Sequence, residues 1–122
     1  MGWGVRTTRR KQMALLAETV STEIIRSVRA PLARIRRHDA DLARQLRRAV
    51  NSIGLNVSEG ERRMGGDRIH HFNIAAGSAK EAQRCLLNAE AWGHVAAKDI
   101  EAPLRHLDRE LGLLWGLTHP RK

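Results

Sequence analysis

The chain has 122 residues, of which 42% are hydrophobic and 3% aromatic, and its formal net charge is +9. This length can bury one core, and the apolar content excludes a disordered tail. A single cysteine excludes an internal disulfide, and no apolar run approaches the roughly 20 residues of a membrane span. We therefore expect one cytoplasmic domain covering 1–122 that has no membrane partner.

The first predicted helix is read from apolar residues at spacings of three and four. They are Met13, Ala17, Val20, Ile24 and Val28. Pro31 lacks the amide proton that a helix interior uses, so it is predicted to end or kink this helix. The stretch 32–38 either continues the kinked helix or forms a separate turn. The chain ends, 1–8 and 119–122, are predicted to fray.

The second helix is predicted to begin at Asp39 and Asp41, because carboxylates suit the positive end of a helix dipole. Its apolar stripe comprises Leu42, Leu46, Ala49, Val50, Ile53 and Val57. A loop rich in turn residues is predicted from Gly60 to Gly66.

Asp67 is predicted to cap the third helix, whose apolar stripe is rich in alanine and includes Ser78 and Cys85. Gly93 fits its C-terminal stop. The fourth helix is predicted to begin near Asp99, and its repeat is Ile100, Leu104, Leu107, Leu111 and Leu114. Matched amphipathic helices with short connections predict an all-α, antiparallel up-down four-helix bundle.

Two stretches carry a recognisable pattern. Gln45 to Gly60 reads QLRRAVNSIGLNVSEG, and Phe72 to Glu81 reads FNIAAGSAKE. Together they resemble the bacterial four-helix-bundle family named for the 23S rRNA intervening-sequence protein, from about Asp39 to Leu117. The resemblance implies a four-helix bundle that in some members forms a ring-shaped homo-oligomer, with a homopentamer as the expected ring. It implies no established reaction.

The bundle is also similar to accessory proteins of diversity-generating retroelements, which are basic rings thought to engage a reverse transcriptase and nucleic acid. That similarity implies RNA or DNA, and a reverse transcriptase, as candidate partners. No sequence feature places the chain with the retroelement group specifically.

Positive charge is concentrated between Arg26 and Arg48, where eight arginines oppose two aspartates. The segment from Asp99 to Glu110 instead has two arginines and four acidic residues. Such a cationic segment favours contact with a phosphate backbone. The predicted nucleic-acid-binding residues are Arg34, Arg36, Arg37, Arg44, Arg47 and Arg48.

No aromatic residue interleaves these arginines in the sequence, which argues against base stacking on this surface. We therefore expect a non-enzymatic, basic oligomer that binds RNA or DNA without strict sequence specificity. The alternative is an interaction or scaffold module, in which the arginines face an acidic protein or a neighbouring subunit.

Polar residues occupy helix positions where hydrogen bonding is needed, namely Ser52, Asn56, Glu59, Ser78 and Glu81. Our prediction is an inter-helix network that sets the register, because an unpaired buried polar group costs about 1–3 kcal/mol. An active site using Glu59 and Glu81 is the less favoured reading. It requires both carboxylates to converge on an open pocket.

We predict no metal or other cofactor. The adjacent His70 and His71 diverge by about 100° on a helix and do not form a natural chelate. Cys85 is expected to be a buried apolar thiol. Trp92 and Trp115 are expected to pack in the core; an exposed tryptophan, Trp3 included, would become a candidate subunit contact.

Overall fold

The computed structural model describes residues 8–120, which form four helices. They are α1 (Arg9–His38), α2 (Ala40–Glu61), α3 (Gly65–Ala91) and α4 (Ala97–Thr118). Each helix packs on its two neighbours around the bundle, and α4 closes the circle on α1. This confirms the all-α four-helix bundle. Within 8–120, no helix is long and apolar enough to cross a membrane.

Of the two outcomes predicted for Pro31, an end or a kink, the structure excludes the end, because Pro31 lies inside α1. Of the two alternatives for 32–38, the continuing helix is the one observed. The helix persists because Pro31 and Ile35 are both buried against the bundle, and their packing outweighs the missing amide proton. Thr8 caps α1 by accepting a hydrogen bond from the Lys11 amide at 3.0 Å. Of the two chain ends predicted to fray, residues 1–7 and 121–122 lie outside the described residues.

Asp39 caps α2 as predicted, since its Oδ1 accepts a hydrogen bond from the Leu42 amide at 3.0 Å. The predicted cap at Asp67 is wrong. Helix α3 begins two residues earlier, at Gly65, whose φ of +61° suits a glycine, and Asp67 lies within its first turn. Helix α4 begins at Ala97, and Asp99 Oδ2 accepts a hydrogen bond from the Ala96 amide at 2.8 Å.

Gly60 does not open a loop, because α2 continues to Glu61 and the connection to α3 is shorter than predicted. The ring of the buried Phe72 packs directly on Gly60. A Cβ at this position would lie 2.6 Å from Phe72 Cε1. Glycine is therefore required by a close approach between helices, not by a turn.

Gly60→Ala is expected to lower the free energy of unfolding by about 1–2 kcal/mol, because the clash outweighs the better helix propensity of alanine. Gly77→Ala is the matched control on α3, where a Cβ would meet nothing within 4 Å. It should raise stability by about 0.5–1 kcal/mol. Urea unfolding measures both changes, and a stabilised Gly60→Ala variant would contradict the packing described.

The interior is divided into two apolar clusters along the bundle. Leu107 of α4 belongs to the first and Leu114 to the second, and Glu110 lies between them with its side chain fully buried. Both Glu110 carboxyl oxygens lack a hydrogen-bond partner in 8–120. Burial raises the pKa of this carboxyl to about 8, against a weaker lowering by Arg109. Glu110 is therefore neutral at pH 7 and is not the surface charge that the sequence suggested.

Candidate nucleic-acid interface

The excess positive charge lies on one half of the bundle. Residues 9–61, which hold α1 and α2, contain eleven basic and six acidic side chains. Residues 65–118, which hold α3 and α4, contain six basic and seven acidic side chains. Because α1 packs on α2, the excess positive charge belongs to one adjacent pair of helices.

Three of the eight arginines between Arg26 and Arg48 are paired with carboxylates. Arg26 bonds Glu23 at 2.6 Å. Among the predicted binding residues, Arg34 bonds Asp99 at 3.1 Å and Arg44 bonds Asp41 at 2.7 Å. Exposed surface pairs of this kind contribute little stability, but they reduce the charge that a ligand meets.

The other five arginines are exposed and lie more than 4.0 Å from any carboxylate of the described chain. We call this set the arginine face: Arg29, Arg36, Arg37, Arg47 and Arg48. It includes four of the six predicted binding residues. Arg29 was not among them. Arg34 and Arg44 were included, because the sequence does not show which arginines are already neutralised.

The packing of α1 on α2 brings parts of the arginine face together. Ser58 Oγ donates a hydrogen bond to Glu18 Oε1 at 2.8 Å, which sets the register of the two antiparallel helices. Arg29 lies eleven residues after Glu18, and Arg47 lies eleven residues before Ser58. Because the helices are antiparallel, the two arginines lie at the same level along the bundle. Arg36 and Arg37 lie about two turns further, near the connection to α2.

A polar network joins α2 to α3. Ser78 Oγ donates to Ser52 Oγ at 2.8 Å. Asn56 Nδ2 donates to the Ser52 carbonyl oxygen at 3.0 Å, and its Oδ1 lies 3.1 Å from His71 Nδ1. The last contact is a hydrogen bond when His71 carries its proton on Nδ1. Three of the five predicted polar residues thus meet, and His71 joins them.

The two glutamates of that predicted set do not meet. Glu59 accepts hydrogen bonds from Arg63 at 2.9 Å and Arg62 at 3.4 Å, and these arginines lower the pKa of its carboxyl. Glu81 is exposed on α3, about three turns from the level of Glu59, and neither residue lines the groove between α1 and α2. The arrangement gives no pocket in which two carboxylates could act together.

The prediction that Trp92 and Trp115 pack in the core is wrong. Trp92 is 74% exposed and Trp115 is 63% exposed. Trp92 caps the C-terminal end of α3, beyond its apolar face. Trp115 stacks on His119 near the end of α4, with ring centroids 4.2 Å apart. Trp3 lies outside the described residues.

Folding brings the Trp92 ring to the end of α1 that carries Arg36 and Arg37, although Trp92 is distant from them in the sequence. The Trp92 ring stacks on His94 with centroids 6.5 Å apart, and His94 stacks on His38 at 5.2 Å. His38 directly follows Arg36 and Arg37 at the end of α1. We call Trp92, His94 and His38 the ring stack. Sequence separation hid this neighbourhood, since it is formed by the α3–α4 connection folding back onto the end of α1.

The described residues form neither a metal site nor an activated cysteine nucleophile. Within 8–120, no group of three His, Cys, Asp or Glu side chains could hold a metal ion. Cys85 is buried, and burial followed by the charge of Glu81 raises the pKa of its thiol. A protonated, buried thiol is a poor nucleophile.

Comparison with known proteins is informative for family and fold. A solved structure described as a protein with unknown function from the S23 ribosomal protein family of Bacteroides thetaiotaomicron VPI-5482 superposes with a TM-score of 0.79. It is 21% identical and covers 93% of this chain and 100% of its own. No curated protein matches in sequence. The family model described as 23S rRNA-intervening sequence protein matches residues 12–116, and the chain therefore belongs to that family.

Proposed function

We propose that this protein is a non-enzymatic nucleic-acid-binding bundle that contacts the phosphate backbone of RNA or DNA through its arginine face, without strict sequence specificity. The observation that carries the proposal is the set of five exposed arginines that have no carboxylate partner in the described chain. Guanidinium groups bind phosphate through paired N–H donors. Phosphate contacts position a nucleic acid but carry no sequence information.

The geometry supports a backbone contact. The arginine face extends over both α1 and α2, so it offers several cations to one ligand. A rigid body bearing several cations displaces counterions from a polyanion, and its affinity then falls steeply with salt. The opposite side, on α3 and α4, is close to neutral and would not compete for the same ligand.

A salt series on the unmodified protein tests the proposal. We expect binding to a labelled RNA hairpin and to a DNA duplex of equal length, with log affinity falling linearly with log salt. Fluorescence anisotropy between 50 and 300 mM salt measures the slope. Absence of binding at the lowest salt, or an affinity that does not change with salt, would contradict the proposal.

The alternative is a protein-interaction module with an acidic partner, in which a reverse transcriptase is one candidate. The open groove between α1 and α2, about 460 Å³, includes the apolar Ile25 and Leu55, of which Leu55 is 71% exposed. Exposed apolar side chains beside cations suit a protein surface better than a phosphate backbone. Capture of one acidic protein that persists after nuclease treatment would favour this alternative.

We also propose that the protein acts in the cytoplasm as a homo-oligomer, with the pentamer as the first candidate. The resemblance to a family in which some members form rings supports self-association, and exposed Leu55 and Trp115 supply apolar surface for subunit contacts. Light scattering at micromolar concentration should give a multiple of the 13.7 kDa chain mass. A monomeric mass would contradict self-association.

A further inference from the structure

We propose that the ring stack is a binding platform for an unpaired base of single-stranded nucleic acid, which stacks on the free face of Trp92. This inference rests on the proposed function and adds a specific site and ligand conformation to it. It also reverses the expectation, drawn from the sequence, that base stacking plays no part.

The first argument is the exposure and support of the indole. Trp92 is 74% exposed, although a tryptophan is usually better buried. Its ring lies nearly parallel to the His94 ring, with an angle of 15° between the planes. His94 in turn lies parallel to His38, at 2°. A supported indole with an open face is the type of platform on which bases stack.

The second argument is that the platform is held in place. Gly93 has a φ of +82°, a conformation that glycine adopts without strain, and it turns the chain between Trp92 and His94. The His94 amide donates to the Ala89 carbonyl oxygen at 2.9 Å. His94 Nε2 lies 4.0 Å from Asp39 Oδ2, and only 17% of its side chain is exposed. The middle ring is therefore fixed between two helix ends.

The third argument is the charge around the stack. Arg36 and Arg37 share the last turn of α1 with His38, and neither pairs with a carboxylate of the described chain. Two nearby carboxylates are engaged, since Asp39 caps α2 and Asp99 bonds both Arg34 and the Ala96 amide. A ligand that fits must present aromatic rings and negative charge within one short segment. Unpaired nucleotides meet this requirement, whereas a duplex hides its base faces.

The test compares Trp92→Ala with Trp115→Ala, which removes an indole of similar exposure that also stacks on a histidine. Trp115 lies at the opposite end of the bundle, where four basic residues are paired with carboxylates, namely Lys11, Arg62, Arg63 and Arg68. The probes are a ten-nucleotide RNA, a strand of equal length with an abasic backbone, and an RNA hairpin.

We expect Trp92→Ala to weaken binding of the ten-nucleotide RNA by about 5- to 150-fold, as loss of one stacked base predicts. The salt slope should not change, because no phosphate contact is removed. The abasic strand should bind both variants and the unmodified protein equally. Trp92→Phe should restore part of the affinity.

Equal affinities of Trp92→Ala and Trp115→Ala for the ten-nucleotide RNA would overturn the inference, even if hairpin binding persists and the proposed function stands. A lower mass of Trp92→Ala in light scattering would make Trp92 a subunit contact and would overturn it too. Absence of binding to every probe would overturn both the inference and the proposed function. Circular dichroism melts check that each variant is folded.

Discussion

Replacing Glu110 with Gln is expected to raise the free energy of unfolding by about 3 kcal/mol at pH 7 and by almost nothing at pH 4. The melting temperature at pH 7 should rise by about 10 °C. Glutamine preserves the shape of the side chain and is uncharged at every pH. The variant therefore isolates the effect of ionisation from that of packing.

The direction in which stability changes with pH follows from the pKa of Glu110 in the folded and unfolded chains. Burial raises the pKa of the folded-state carboxyl to about 8, whereas its ordinary value is 4.5. Below pH 4.5 both the folded and unfolded chains hold this proton, and its contribution to stability is fully present. As the pH rises from 4.5 towards 8, the unfolded chain releases the proton first and stability falls. Above pH 8 both states are ionised and the loss is complete.

Urea unfolding at pH 4, 5.5, 7 and 8.5 measures the difference between Glu110→Gln and the unmodified protein. Glu101→Gln is the matched control, because Glu101 is exposed on the same helix and lies in no ion pair within the described residues. It should change stability by less than about 0.5 kcal/mol at any pH. Parallel curves for Glu110→Gln and the unmodified protein would mean that the pKa of Glu110 is the same in the folded and unfolded chains, and that burial does not raise it.

Replacing three arginines of the arginine face with Gln is expected to weaken binding to the RNA hairpin by about 100-fold at 100 mM salt. The substitutions are Arg36→Gln, Arg47→Gln and Arg48→Gln. Each removed phosphate contact should lower the salt slope by about 1, so the triple variant should lose about 3. The fold should be unaffected, since all three side chains are exposed and pair with no carboxylate among residues 8–120.

The matched control removes the same charge from the opposite side of the bundle, with Lys80→Gln, Arg84→Gln and Arg105→Gln. These side chains are also exposed and unpaired within the described chain. A net-charge effect would weaken binding equally in both triples, whereas the proposed face requires a much larger loss in the first. Equal losses of hairpin affinity in the two triple variants would mean that binding depends on net charge alone. Unchanged affinity in both variants would mean that these arginines do not contact the RNA.

Several features of the fold were predictable because they depend on local spacing. Apolar residues three and four apart determine which side of a helix is buried, whatever it packs against. The stripes from Val20 to Val28 and from Leu42 to Val57 are accordingly in the core. The cap at Asp39 was also predictable, since a capping carboxylate bonds an amide only three residues away. The helix start at Gly65 was missed by three residues and the start at Ala97 by two, because the ends of these helices are weakly specified by sequence.

The candidate site was less predictable, because its properties are non-local. Sequence revealed that Arg26 to Arg48 is basic, but not that Asp99, 65 positions from Arg34, neutralises that arginine. The ring stack likewise joins His38 to His94 across the end of the bundle. The sequence spacing placed Glu110 on the apolar stripe of α4, three residues after Leu107 and four before Leu114. A burial prediction nevertheless passes over a glutamate, because charged residues are rarely fully buried.

The amino-acid sequence by itself determined the helical class, the family and the segregation of positive charge, because each depends on residue identity and short-range periodicity. Tertiary structure alone decided which arginines stay unpaired, that Trp92 is exposed, and that Glu110 is enclosed without a partner among the described residues. Pairing, exposure and desolvation depend on which distant groups the fold brings together, and helix periodicity does not encode those distances.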